Sequence, residues 1–257
     1  MSESVIMHDI VKHFNVHTPD EMTLFDHFNL SIERGQFVSV IGSNGSGKTT
    51  MLNILCGSEP SDSGTVSLFG QDITNLREHQ RARRIGRVFQ NPAKGTCAHL
   101  TILENIALAD NKGNSFDLRP AIRKRRIDGY RALLKPLGMG LENRMNQLVG
   151  SMSGGQRQAL ALALCTMTPI DLLILDEHTA ALDPRAADSV MQLTNRLVTQ
   201  KQLTTLMVTH NLKYAVNYGN RLLMMHEGNI ILDGHSGQYS VDDLLSTFNK
   251  ISIEVGN

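Results

Sequence analysis

The chain contains no tryptophan, four tyrosines, eight phenylalanines and three cysteines, and its 25 Lys and Arg balance 25 Asp and Glu. A zero balance removes any global electrostatic case for nucleic acid or anionic lipid. Cys56, Cys97 and Cys165 show no CxxC spacing, so each reads as a small apolar residue of a reducing compartment rather than as a disulfide or metal ligand. Met1 to Ser4 lack a basic segment followed by a long apolar run, so no secretory signal is expected. No apolar stretch approaches the roughly 20 residues that cross a bilayer. The expectation is a soluble, cytoplasmic-type chain that serves a membrane only through a partner. No internal repeat or low-complexity tract is visible, and nothing after Gly237 is long enough for a further regulatory domain.

What is present fills one large α/β domain of 257 residues, with ample core. The chain falls into three zones. The first, to about Gly86, starts with short alternating segments of sheet: Val5 to Val11, Phe28 to Ile32, Thr65 to Phe69. Set into it is a buried strand, Phe37 to Ile41, that runs into a glycine-rich turn and a helix from Lys48 to Leu55. The middle zone, about Asn91 to Leu164, is richer in charge, with Leu100 to Ala109 and Ile122 to Leu137 as predicted helices. The last zone returns to buried strands at Leu172 to Leu175, Thr205 to Val208 and Leu222 to Met225. Such continuous apolar runs predict parallel strands covered on both faces. Pro184 to Val198 supplies a crossover helix. A hairpin near Gly228 and a helix capped by Ser240 finish the chain.

Gly42-Ser43-Asn44-Gly45-Ser46-Gly47-Lys48-Thr49 matches G-x-x-x-x-G-K-[ST] in the strand–loop–helix context that a phosphate loop requires. Backbone N–H groups wrap the phosphates and the helix N-terminus adds partial positive charge. Lys48 reaches the β- and γ-phosphates, the Thr49 hydroxyl ligates Mg²⁺, and Thr50 is counted with the nucleotide-binding set. Alone, this motif does not separate a kinase, a GTPase or a transport ATPase. Leu172 to Leu175 end in Asp176 and Glu177, two carboxylates at the C-terminal end of a core strand, where ligands bind in open α/β sheets. Asp176 fits a direct or outer-sphere Mg²⁺ partner, and Glu177 can polarise the attacking water. Ser153-Gly154-Gly155-Gln156 opens an apolar helix, Arg157 to Thr166. Read alone it is either a plain helix cap or a phosphate-approach site beneath two glycines.

The order phosphate loop, Ser153–Gln156 signature, then Asp-Glu strand resembles the ATP-binding-cassette (ABC) ATPase family over essentially the whole chain. That resemblance implies an α/β P-loop NTPase fold with an antiparallel β subdomain and an inserted α-helical subdomain. It implies one domain over residues 1–257, in which 1–90 and 165–257 form the core with the β subdomain and 91–164 the helical subdomain. It implies a head-to-tail homodimer in which the signature of one copy closes on the ATP of the other. Residue by residue, Gln90 resembles the glutamine that touches Mg²⁺ and the catalytic water. His210 resembles the switch histidine on the γ-phosphate, and Asp183 the loop linking the two sites. Phe14, at the end of the first strand, either stacks on adenine or is a core side chain.

Where most of the family carries proline after the Asp-Glu pair, this chain has His178, which either hydrogen-bonds near the phosphate or fills an ordinary loop position. The basic runs Arg81 to Arg84 and Arg123 to Arg126 read as solvated helix faces, not nucleic-acid contacts, because no aromatic is interleaved. Local runs such as Asn91 to Thr96 and Tyr218 to Gly228 resemble the ATP-binding subunits of bacterial importers described as tryptophan/tyrosine transport systems. These work with a transmembrane permease and a substrate-binding lipoprotein, placing the chain at the cytoplasmic face of the membrane. An exporter or lipid-release ATPase and a soluble non-transport ABC ATPase are the alternatives.

Overall fold

A computed structural model describes residues 3–112 and 122–254; Met1 and Ser2, part of the segment searched for a signal, lie outside them. The strands and main helices in chain order are β1 (Glu3–Phe14), β2 (Met22–Glu33), β3 (Phe37–Gly42), α1 (Lys48–Cys56), β4 (Ser63–Leu68), β5 (Gln71–Asp72), α2 (Glu78–Arg81), β6 (Ile85–Val88), α3 (Ile102–Asp110), α4 (Ile127–Leu134), α5 (Gly154–Cys165), β7 (Leu172–Asp176), α6 (Pro184–Lys201), β8 (Thr204–Val208), α7 (Leu212–Tyr218), β9 (Arg221–His226), β10 (Asn229–His235) and α8 (Val241–Glu254). The chain divides into two compact units, 1–81 with 203–257, and 82–202. Residues 91–164 fall within the second.

In the first unit β1 and β2 form a long antiparallel hairpin, extended on its other side by β4 and β5. The hairpin is longer than the alternating segments predict. It runs through two non-glycine residues with positive φ, Asp9 (56°) and His27 (56°), near register shifts that break the simple period of two. The same unit carries β3 between β8 and β9, parallel to both, with β10 antiparallel on β9. β3 and β8 are buried at every residue, as continuous apolar runs predict for strands covered on both faces. The β9–β10 hairpin turns at Glu227 (φ 44°) and Gly228 (φ 76°), the two left-handed residues that a two-residue turn matching strand twist requires. Ser240 caps α8, its Oγ accepting from Asp243 N at 3.1 Å.

The second unit pairs β6 with β7 in parallel, Ile85 facing Leu172 and Val88 facing Leu175. Around them stand α3, α4, α5 and α6. Each of α3, α5 and α6 opens on a side-chain cap: Thr101, Ser153 and Asp183. The predicted helix over Ile122 to Leu137 is shorter. Short 3₁₀ turns at Lys124–Arg126 and Lys135–Leu137 flank α4, where three consecutive cations and Pro136 interrupt a regular helix.

One basic run departs from expectation. Arg81 is only 5 % exposed. Its guanidinium donates to Leu76 O (2.9 Å), Ile54 O (2.7 Å), Leu55 O (3.1 Å) and Thr74 O (2.7 Å). It is a plug under the C-terminus of α1. Neighbouring charges tell nothing of this, because one residue of a cationic run can fold inward while the others stay wet. Lys124, Arg125 and Arg126, by contrast, are exposed as predicted.

A candidate nucleotide site on two strand edges

The register of the first unit brings two predicted groups to one edge. Val40 of β3 faces Val208 of β8, so the loop beginning at Gly42 and the exposed His210 both emerge two residues beyond that pair, at the C-terminal end of parallel strands. Thr209 N donates to Val40 O at 3.1 Å and fixes that exit. Asn211, just after His210, caps α7.

The phosphate loop itself follows from its glycines. A Cβ on Gly42 would strike Met225 O, and one on Gly47, where φ is +99°, would meet the Phe25 ring at 2.8 Å. Only glycine lets the backbone close this tightly. Lys48 Nζ lies over the loop, 2.9 Å from Gly42 O, 2.7 Å from Ser43 O and 3.2 Å from Ser46 Oγ. α3, α5, α6 and α7 each take a side-chain oxygen at the N-terminus. α1 instead opens on Gly47 with no side-chain cap and no acid in its first turn. An N-terminus with no side-chain acceptor, above a glycine loop, fits an anionic phosphate. Asn44 and Gly45 complete the exposed rim, and Thr49 and Thr50 stand in the first turn, Thr49 exposed and Thr50 half-buried. Phe14 is half-buried at the end of β1, with Lys12 Nζ 5.2 Å from its ring centroid. Lys12 in turn bonds Glu59 at 2.6 Å.

The second unit repeats the edge arrangement. Val88 faces Leu175, so Gln90 and Glu177 each leave their strand two residues past the pair. Asp176, the last residue of β7, takes Arg87 Nη2 on Oδ2 at 2.7 Å. Sequence reading missed Arg87. A cation alternating with apolar residues on a parallel strand, one strand from an acid, is the signal that could have found it. Glu177 is half-buried and has φ +48°. Gln158, fully buried on α5, donates from Nε2 to Phe89 O at 2.9 Å and so ties α5 to the segment just before Gln90.

Ser153 and Gln156 form a capping box at the start of α5. Ser153 Oγ accepts from Gln156 N at 3.3 Å, and Gln156 Oε1 accepts from Ser153 N at 3.2 Å. The helix therefore begins at Gly154, not at Arg157. Both glycines serve packing: a Cβ on Gly154 would lie 3.0 Å from Leu182 Cδ2, and one on Gly155 3.2 Å from Ala186 Cβ. Asp183 caps α6, its Oδ1 accepting from Ala186 N at 3.0 Å. His178 does not fill an ordinary loop position. It is 2 % exposed, Nε2 lies 3.2 Å from Thr194 Oγ1, and burial pushes its pKa down to about 4, so the ring is neutral.

Among the described residues no group of three or more His, Cys, Asp or Glu forms a metal cage, and no helix is long and apolar enough to cross a membrane. The Thr49 hydroxyl in the first unit and, separately, the Gln90 amide and Asp176 carboxylate oxygens in the second are hard donors of the kind that suit Mg²⁺, an ion that completes its shell with phosphate and water.

Comparison with known proteins agrees with this geometry. The family described as "ABC transporter" matches residues 25–180, more than half of the chain. The tyrosine transport ATP-binding protein of Clostridioides difficile is 43 % identical over 88 % of this chain and 91 % of its own. The thiamine import ATP-binding protein of Salmonella choleraesuis is 34 % identical over 87 % and 92 %. A crystal structure of the ADP conformation of an ABC transporter's ATP-binding cassette has a TM-score of 0.81 at 26 % identity, covering 100 % of both chains. A dimeric post-hydrolysis cassette bound to ADP and Pi has 0.76 at 27 %, covering 91 % of this chain and 100 % of that one. The P-loop α/β fold, the phosphate loop and these matches together establish that the chain belongs to the ABC transporter family as an ATP-binding cassette, an ATPase whose family hydrolyses ATP coupled to transport.

Proposed function

We propose that the chain is the ATP-hydrolysing subunit of a bacterial importer of aromatic amino acids. The observation that carries the substrate class is the 43 % identity, over nearly nine-tenths of both chains, to a protein named for tyrosine transport. Relatives named for thiamine stand at 32 % to 36 % and one named for spermidine and putrescine at 34 %. Two copies pair head to tail, and each pair of copies binds a transmembrane permease at the cytoplasmic face of the membrane, fed by a substrate-binding lipoprotein. Within each copy, residues 91–164 act as the helical subdomain of a single 1–257 cassette.

In this reading the Gly42–Thr50 loop holds the ATP phosphates and Phe14 stacks on adenine. Thr49, Gln90 and Asp176 would hold Mg²⁺, which neutralises charge on the β- and γ-phosphates. Glu177 orients and polarises the attacking water, Gln90 touches that water, and His210 contacts the γ-phosphate. Ser153, Gly154, Gly155 and Gln156 reach the nucleotide of the other copy, and Asp183 lies where the two sites meet. ATP favours the closed pair and hydrolysis releases it, the differential affinity that drives a permease. The test is uptake by vesicles holding the chain with its permease and binding lipoprotein. ATP-driven accumulation of tyrosine or tryptophan, but not thiamine or spermidine, is expected. Accumulation of thiamine alone, or ATP-driven efflux, overturns the substrate or the direction.

A further inference from the structure

Among the described residues most non-glycines with positive φ sit in hairpin connections, strand bulges or a helix C-cap: Asp9, Asn15, His17, His27, Phe69, Gln202 and Glu227. Glu177 is different. It follows a parallel strand whose partner β6 pairs up to Val88, yet its φ is +48°. Left-handed backbone is costly for a residue with a Cβ and persists only where its surroundings impose it. No hairpin geometry asks for it here.

The next residue supplies the constraint. His178 turns its ring inward to 2 % exposure and meets Thr194, itself wholly buried on α6. Thr194 Oγ1 donates its only proton to Val190 O at 2.8 Å. The ring must therefore be the donor, from Nε2–H into the Thr194 oxygen at 3.2 Å. The turn is closed by Ala180 N on Glu177 O at 2.9 Å, and it ends at Asp183, the cap of the same helix. The segment between β7 and α6 is thus fastened to α6 twice, at its second residue and at its last. If the first fastening fails, Glu177 is released to the negative-φ region that it would otherwise prefer, and its carboxylate changes direction.

We propose that His178 is a positioning residue for Glu177: its hydrogen bond to Thr194 anchors the turn so that the left-handed Glu177 presents its carboxylate at the C-terminal edge of β7. This rests on the reading of Glu177 as the water-polarising group. A positioning role acts on turnover rather than on the phosphate loop, which belongs to the other unit. Thr194→Val, which keeps volume and removes the acceptor, lowers kcat roughly 10-fold while ATP affinity stays within about twofold. Thr194→Ser, which restores the hydroxyl, recovers the rate, as does His178→Gln, whose amide N–H can replace the ring donor. His178→Ala falls at least as far as Thr194→Val, and the double variant falls no further than His178→Ala alone, because both break one bond.

The measurements are steady-state ATP hydrolysis and equilibrium binding of a fluorescent ATP analogue by the full chain, with thermal melting of each variant. Should His178→Ala melt below the assay temperature, Thr194→Val against Thr194→Ser decides, since the ring is then intact. Unchanged kcat in Thr194→Val, a loss that Thr194→Ser does not recover, or ATP affinity falling in step with rate overturns the proposal. Glu177→Gln separates the two levels. If it hydrolyses ATP normally, the role of Glu177 itself fails. If it is inactive while Thr194→Val is normal, only the anchor fails.

Discussion

Replacing Arg81 with methionine keeps the aliphatic stem and removes the guanidinium from beneath α1. Four backbone carbonyls then lose a charged donor. They are not equal. Thr74 and Leu76 are half-buried, so water can replace the lost bonds at Thr74 O and Leu76 O. Ile54 and Leu55 are 2 % and 1 % exposed, and their carbonyls belong to the last turn of α1, where helix N–H partners run out. The Gly57 cap N–H still reaches Ile54 O at 3.2 Å, so Leu55 O is the carbonyl that depends on the guanidinium. Stranding a buried acceptor costs about 1–3 kcal/mol. One stranded acceptor at Leu55 O and a weakened one at Ile54 O, less the relief of no longer burying a cation, give a net loss of about 2 kcal/mol. Burial already depresses the Arg81 pKa, the sign of that desolvation cost. Chemical denaturation followed by circular dichroism would measure the loss. Arg81→Lys, a point charge without the planar fork, falls between wild type and Arg81→Met. Gly57→Ala should also destabilise, because its Cβ would meet Arg81 Nε at 2.8 Å and its φ is +78°. ATP affinity, set at the other end of α1, stays unchanged well below the midpoint. A loss under about 1 kcal/mol for Arg81→Met would refute the account of Arg81 as a plug, since it would mean that water already serves the inner carbonyls.

Glu177→Gln should retain ATP binding and lose turnover by orders of magnitude, trapping a nucleotide-bound pair of doubled mass in light scattering; a wild-type rate removes Glu177 from the chemistry. Lys48→Ala should instead weaken binding itself. Mixing Ser153→Arg with Lys48→Ala should return part of the activity that neither has alone, because each damages a different half of a composite site. Heterodimers that form and stay inactive sink the head-to-tail arrangement. Burial and the nearby Asp110 carboxylate push the Tyr130 hydroxyl up to about 12, above the ordinary tyrosine value. The folded chain thus holds this proton more tightly than the unfolded one. The contribution is complete below pH 10 and is lost as pH rises from 10 towards 12, roughly 2 kcal/mol in all. Tyr130→Phe should lack that limb in alkaline melting curves, and an identical pH dependence counts against the shift.

Much of the nucleotide edge was legible because it is local. A buried strand, a glycine loop and a helix stand consecutively from Phe37 to Cys56, and the apolar run to Asp176 announces its own acidic end. α6 begins where Asp183-Pro184 predicts, since a capping acid and a proline at the first helical position both act within one turn. What stayed hidden is decided by partners far away in the chain. His178 is buried because Thr194, 16 residues on, offers it an acceptor. Arg81 is buried because Ile54, 27 residues back, ends a helix beneath it. Arg87 is held by Asp176, 89 residues on, which only strand pairing reveals. The bulges at Asp9 and His27 leave no trace in an alternating pattern, because the extra residue looks like any other polar position.

Gly155 and Ala186 have a consequence beyond packing. A Cβ at 155 would lie 3.2 Å from that of Ala186, so the two helices share space for one methyl group, and Ala186 already has it. The pair behaves as a single allele split over two positions. An alanine introduced at 155 asks the Ala186 side to give by a few tenths of an ångström, and a glycine at 186 removes that demand. Substitution histories at these two sites are therefore expected to be tied, one step in each favouring an answering step in the other. Ser153 and Asp183 cap these same two helices within a few residues of the contact, so a shift that relieves it is drawn from the two capped ends.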